Sequence, residues 1–166
     1  MHANLFWVDG SWPGRLAIAP RPRGADWLDD ELKAFRRAGI HVVVCLLTDD
    51  EMADLDLRKE PDLCRANAMQ WISLPIEDRG VPTDMDETRI ILAKAADALR
   101  EGRNVLVHCR QGIGRAGMAA VGILSLLGVD PTAAIDLGSA ARGQAIPETI
   151  QQREWALNFG SPAGVR

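Results

Sequence analysis

A chain of 166 residues, 47% apolar and 25% charged, has the composition of a globular protein and the length of a single domain, 1–166, with one core. Its formal charge of -4 lacks the basic footprint of a nucleic-acid binder, so no nucleic-acid partner is expected. The three cysteines, at 45, 64 and 109, are too few for a disulfide framework and show no Cys-x-x-Cys spacing, which predicts reduced thiols, no metal and a cytoplasmic setting.

From Met1 to Gly14 no basic stretch precedes a sustained apolar one, so no secretory signal is expected. Leu5 to Val8 and Leu16 to Ala19 are short apolar stretches separated by Asp9-Gly10-Ser11 and Pro13-Gly14, which suits a hairpin or two edge strands. Trp27, Leu28, Leu32 and Phe35 recur at helical spacing, with Gly39 placed as a C-terminal cap. His41 to Leu47 reads as a strand covered on both faces. Asp49 to Ala68 is polar and predicts short helical pieces, Met69 to Leu74 a strand, and Pro75 to Pro82 a loop. Thr83 and Asp86 fit an acidic variant of the capping box, ahead of a helix with Ile90, Ile91, Ala95 and Leu99 inward. Asn104 to His108 is the next buried strand, followed by helices near Arg115 to Leu127, Pro131 to Ala141 and Thr149 to Phe159. The apolar run Ala116 to Leu127 is too short for the roughly 20 residues that span a bilayer, so no membrane association is expected. The alternation predicts an α/β fold, with a central, largely parallel sheet flanked by helices on both faces. Ligands of such folds gather beyond the carboxyl ends of the strands, where loops 75–82 and 109–115 lie.

The segment His108-Cys109-Arg110-Gln111-Gly112-Ile113-Gly114-Arg115 sits between the last strand and an apolar helix. A cysteine attacks only as thiolate, and both a helix N-terminus and a nearby arginine favour that form. Gly112 and Gly114 let the chain curl so that the N–H groups of residues 110 to 114 make an anion nest. Arg115 can grip two oxygens of a phosphoryl group with its fork, more strongly as charge develops during transfer. A bare Cys-x5-Arg is a weak signal. The preceding histidine, the two glycines and the strand-to-helix setting are separate requirements that make it specific.

These residues resemble the signature of the cysteine-based protein tyrosine and dual-specificity phosphatases, His-Cys-x-x-Gly-x-x-Arg followed by Ser or Thr. Leu74-Pro75-Ile76-Glu77-Asp78-Arg79-Gly80-Val81-Pro82 is similar to the acid-bearing loop of small dual-specificity and kinase-associated phosphatases, and the likeness runs from about residue 16 to 157. The resemblance implies that Cys109 is the nucleophile, Arg115 and the loop amides bind phosphate, and Asp78 is the general acid, with no cofactor. This chain has Ala116 where the family places a hydroxyl that stabilises the leaving thiolate.

His108, at the end of a buried strand, is expected to orient the loop rather than to act as a base. Arg110 and Gln111 point by position toward the pocket mouth. Gln152 resembles a family position that contacts the site, although an exposed glutamine is the default, and Arg142 stands similarly. Cys45 is expected to be an inert core thiol, and Cys64 is a candidate redox partner of Cys109. His2 and His41 look incidental. The five scattered tryptophans read as core or near-core. The expected substrate is a phosphorylated protein or a small phosphomonoester, with the oligomeric state open. The alternatives are a catalytically weak phosphoprotein-binding module of the same fold and a sulfurtransferase of rhodanese type or an arsenate reductase.

Overall fold

The computed structural model describes residues 3–160. Its strands, β1 Phe6–Val8, β2 Leu16–Ala19, β3 Val42–Cys45, β4 Gln70–Ser73 and β5 Val105–His108, form one sheet in the order β1-β2-β5-β3-β4. Only β1 and β2 pair antiparallel; β2, β5, β3 and β4 are parallel neighbours. The helices are α1 Leu28–Arg37, α2 Asp49–Asp54, α3 Glu60–Ala66, α4 Met85–Arg100, α5 Arg115–Leu126, α6 Pro131–Arg142 and α7 Ile150–Phe159. None of the described helices is long and apolar enough to cross a membrane.

The strand period of two divides the core. Val42, Val44, Val105 and Val107 face one layer with Leu92, Val121 and Phe159 from α4, α5 and α7. Val43, Cys45 and Leu106 face the other with Leu28, Leu32 and Phe35 of α1 and Cys64 of α3. Such aliphatic side chains contribute about 1.5–3 kcal/mol each when fully buried, so both faces must be covered and β3 and β5 need no polar side. Alternation past the end of β5 turns His108 toward the second layer and Cys109 toward the first.

The helices start where side-chain acceptors meet their free amides. Thr48 and Glu51 form a reciprocal capping box at α2, and Thr149 and Gln152 form another at α7. Asp130 caps α6, with Pro131 in its first turn. Helix α5 is buried from Arg115 through Ile123 and Leu124, as an all-round apolar helix must be.

Five expectations are corrected in whole or in part. Ile90, expected to face inward from α4, is 64% exposed. Of the two readings of the opening stretches the hairpin holds, since β1 and β2 pair antiparallel, whereas β2 lies second in the sheet with all four residues buried and is no edge strand. Helix α4 is capped by Asp84, whose side chain accepts from the Glu87 N–H at 3.0 Å, one residue beyond Thr83. Trp27 is 53% exposed, because α1 turns its inward stripe through Leu28, Leu32 and Phe35 and leaves Trp27 under the Arg23 guanidinium. His41 is structural: its Nδ1 accepts from the Asn104 N–H at 2.9 Å, joining β3 to the start of β5. His2 lies outside the described residues.

Candidate active site

The segments that follow β2, β3, β4 and β5 meet at the carboxyl edge of the sheet, where an α/β fold places ligands. The loop after β5 enters α5 directly, so Cys109 sits over a helix N-terminus. The Ala116 N–H lies 3.4 Å from the Cys109 Sγ, a backbone donor at the position where Ala116 carries no hydroxyl.

The loop carbonyls are drawn outward. Arg21 N–H donates to the Arg110 carbonyl at 3.1 Å, while Arg142 donates through Nη2 to the Gln111 carbonyl at 3.1 Å and through Nε to the Gly112 carbonyl at 2.9 Å. A trans peptide points its carbonyl and the next N–H in opposite directions. The amides of Gln111, Gly112 and Ile113 therefore face away from these donors, into the curl of the loop, as an anion nest requires. Arg142 is itself stacked on the Phe6 ring at 4.0 Å, which fixes its fork. Gly112 makes the curl possible, since its φ is +74° and a Cβ would fall 2.6 Å from the Ala19 carbonyl carbon.

Arg115 is buried, and its charge is met by Glu51, which the sequence reading did not single out. Glu51 Oε1 accepts from Nη1 at 2.6 Å and Oε2 from Nη2 at 3.0 Å, while Arg110 Nε donates to Oε2 at 2.6 Å. Arg115 Nη1 also donates to the Ile76 carbonyl at 2.8 Å, and Nη2 lies 3.2 Å from Asp78 Oδ1. The guanidinium thus spends its terminal N–H groups on Glu51, the Ile76 carbonyl and Asp78, so a ligand in the loop would meet Nε–H and compete with Asp78 for Nη2. Burial alone would raise the Glu51 carboxyl, but the hydrogen bonds from Arg115 and Arg110, with the Thr48 amide, outweigh it and hold it at about 2.

Asp78 rises from the loop between β4 and α4, exposed on its outer side. Two contacts tie that loop to the start of α7: Arg79 donates to Glu148 at 3.1 Å, and Gln152 Nε2 donates to the Gly80 carbonyl at 3.1 Å. Gln152 is 0% exposed rather than solvated, because its Oε1 also closes the α7 capping box on the Thr149 N–H. A cavity of about 180 Å³ opens over Cys109, walled by Asp78, Arg79, Arg110, Gln111, Glu148 and Gln152.

Behind the loop, His108 is fully buried with Nε2 2.6 Å from Glu60 Oε1 and Nδ1 3.3 Å from the Cys109 carbonyl. Cys45 is a buried core thiol, as expected. Cys64 packs beside it in the second core layer whereas Cys109 belongs to the first, so the structure does not pair Cys64 with Cys109. Glu51 and Glu60 are the residues that sequence reasoning passed over. Thr48-Asp49-Asp50-Glu51 carried a readable capping-box signal, but nothing local marked either carboxylate as buried.

The order of elements, the largely parallel sheet and the cysteine loop leading into α5 place the chain among proteins of the tyrosine phosphatase fold. More closely, residues 3–155 match the family described as PTP-SAK, Swiss Army Knife protein, DSP-PTPase phosphatase domain, and the chain belongs to it. Mouse cyclin-dependent kinase inhibitor 3 is 30% identical over 131 residues, which cover 78% of this chain and 60% of that protein. The chain thus spans about 60% of the length of this curated relative. The crystal structure of kinase associated phosphatase with its catalytic cysteine replaced by serine superposes with a TM-score of 0.85 at 22% identity, covering 96% of this chain and 94% of that one. Tk-PTP in its active form gives 0.74 at 25% identity, covering 96% and 98%.

Proposed function

We propose that residues 1–166 form one catalytic domain that hydrolyses phosphomonoesters through a cysteinyl-phosphate on Cys109, with phosphorylated proteins as substrates, dual specificity and a cytoplasmic setting. The observation that carries this reading is the inward-facing loop closed by Arg115, with the Cys109 sulfur at its floor and the Asp78 carboxylate across the cavity. In the first step the Cys109 thiolate attacks phosphorus, the ester P–O bond breaks, and Asp78 gives its proton to the departing oxygen. The loop amides and Arg115 hold the equatorial oxygens as charge moves onto them. In the second step Asp78, now a carboxylate, takes a proton from water as that water attacks phosphorus, and the S–P bond breaks to return thiolate and inorganic phosphate. The polar walls formed by Arg79, Gln111 and Glu148 suit a peptide mouth without restricting the ester to an aryl group.

Hydrolysis of an aryl phosphate and of phosphoserine and phosphotyrosine peptides, in EDTA and reductant across pH 5 to 8, tests the reading. Activity that survives chelation, vanishes in Cys109→Ser and drops steeply in Asp78→Asn is the expected result. A second reading, a phosphoprotein-binding module, is favoured by Ala116, which leaves the leaving thiolate without a hydroxyl donor. Vanadate binding by an inert wild type would select it.

A further inference from the structure

His108 and Glu60 meet at the root of the cysteine loop with both side chains 0% exposed. Nε2 of His108 faces the Glu60 carboxyl at 2.6 Å and Nδ1 faces the Cys109 carbonyl at 3.3 Å; with Glu60 ionised, both oxygens can only accept. A neutral imidazole has one N–H and satisfies one of these; the doubly protonated ring satisfies both. The third neighbour is Cys45, whose thiol is directed to the Met52 sulfur at 3.7 Å, leaving its lone pairs for the ring. Cys45, Glu60 and His108 lie close enough to suggest metal ligands. A zinc ion with bonds of about 2 Å, however, would hold adjacent donor atoms at roughly 3.3 Å, and 2.6 Å is a hydrogen-bond length.

We propose that Glu60 is a positioning residue for the nucleophile: its buried carboxylate holds His108 as an imidazolium, which is hydrogen-bonded to the Cys109 carbonyl and favours the Cys109 thiolate. The inference rests on Cys109 being the nucleophile. The pair is a dipole with its positive end at the Cys109 carbonyl, because His108 Nδ1 faces that oxygen while Glu60 approaches Nε2 from α3 on the far side of the ring; the ring and the sulfur leave opposite faces of the sheet, so the charge acts on the thiolate through the Cys109 backbone. Burial opposes the imidazolium, but the Glu60 carboxylate and then the Cys45 sulfur outweigh it and hold His108 well above its ordinary 6.5. On the other side Cys109 sees the Arg115 guanidinium with Glu51 behind it, Arg110 and Asp78 at the cavity wall, and the Ala116 N–H.

Glu60→Gln keeps the acceptor oxygen and removes the charge, so it separates electrostatics from shape. Alkylation of Cys109 by iodoacetamide, followed by peptide mass across pH 4 to 9, is expected to shift its midpoint upward by about one unit in Glu60→Gln. The acid limb of kcat/KM should move with it. An unchanged midpoint in folded Glu60→Gln would overturn the proposal. Should that variant not fold, long-range proton–nitrogen NMR of the wild type decides instead: His108 with both nitrogens protonated at pH 7 supports the proposal, and a neutral ring sinks it. Neither the alkylation nor the NMR readout needs turnover, so an inert wild type would count against the phosphatase reading alone.

Discussion

Glu51 and Arg115, sixty-four residues apart in sequence, are joined end to end by two hydrogen bonds of 2.6 and 3.0 Å. The carboxylate also closes the α2 capping box, so a helix start and the buried Arg115 ion pair share one side chain.

Replacing Glu51 by Gln removes the countercharge of a buried guanidinium. Breaking such a pair costs roughly 3–5 kcal/mol when one charge is left unmet, and the retained amide should put the loss near the lower figure. Chemical denaturation at pH 7 measures it, and phosphate affinity should fall as Arg115 loses its fixed orientation.

The same carboxylate sets an acid limit. Its folded value of about 2 lies below the ordinary 4.5, so its contribution is fully present above 4.5 and fades as pH falls toward 2. The span corresponds to about 3 kcal/mol. Denaturation midpoints of wild type and Glu51→Gln, far apart at pH 7, should converge as pH approaches 2.

Gly112→Ala places a Cβ 2.6 Å from the Ala19 carbonyl carbon at a φ of +74°. The left-handed conformation alone costs about 1–2 kcal/mol, and the contact is with backbone, which cannot rotate away. The loop must open. Vanadate affinity is expected to drop by at least about tenfold, read by fluorescence titration.

Arg142→Leu deletes the donors to the Gln111 and Gly112 carbonyls without touching the cavity wall. Hydrogen bonds from a charged group contribute about 1.5–3 kcal/mol. With the peptides free to turn, KM should rise more than kcat falls, which steady-state kinetics separates.

Ala116→Ser supplies a hydroxyl beside the Cys109 sulfur. If release of the phosphoenzyme limits turnover, kcat should increase by about tenfold to a hundredfold, and the burst of the first turnover should shrink. An unchanged rate of phosphoenzyme release would show that the Ala116 N–H already serves the sulfur.

The cysteine loop was legible because its requirements are contiguous: the eight residues from His108 to Arg115 carry the proposed nucleophile, the turn glycines and the cation, between a strand and a helix that periodicity reveals. Glu51 and Glu60 were not, since acidic residues in a polar stretch look solvated until tertiary packing brings β5 and its loop against α2 and α3. Gln152 falls between these cases. Its helix was foreseen, but the burial that makes it a tie between α7 and the Gly80 carbonyl depends on the path of a loop seventy-two residues away. Trp27 shows the opposite failure, in which an apolar residue continued a helical period yet fell one position outside the buried stripe.

Cys45 and Cys64 are sealed at 0% exposure, and burial, with the Glu60 carboxylate nearby, pushes the Cys64 thiol well up and slows its chemistry further. Cys109 alone opens on the cavity. A thiol reagent therefore labels one group on the folded chain and all three once it unfolds. The passage of that mass count from one to three times the opening of the second core layer, so the protein carries its own clock for loss of structure, readable without added dye.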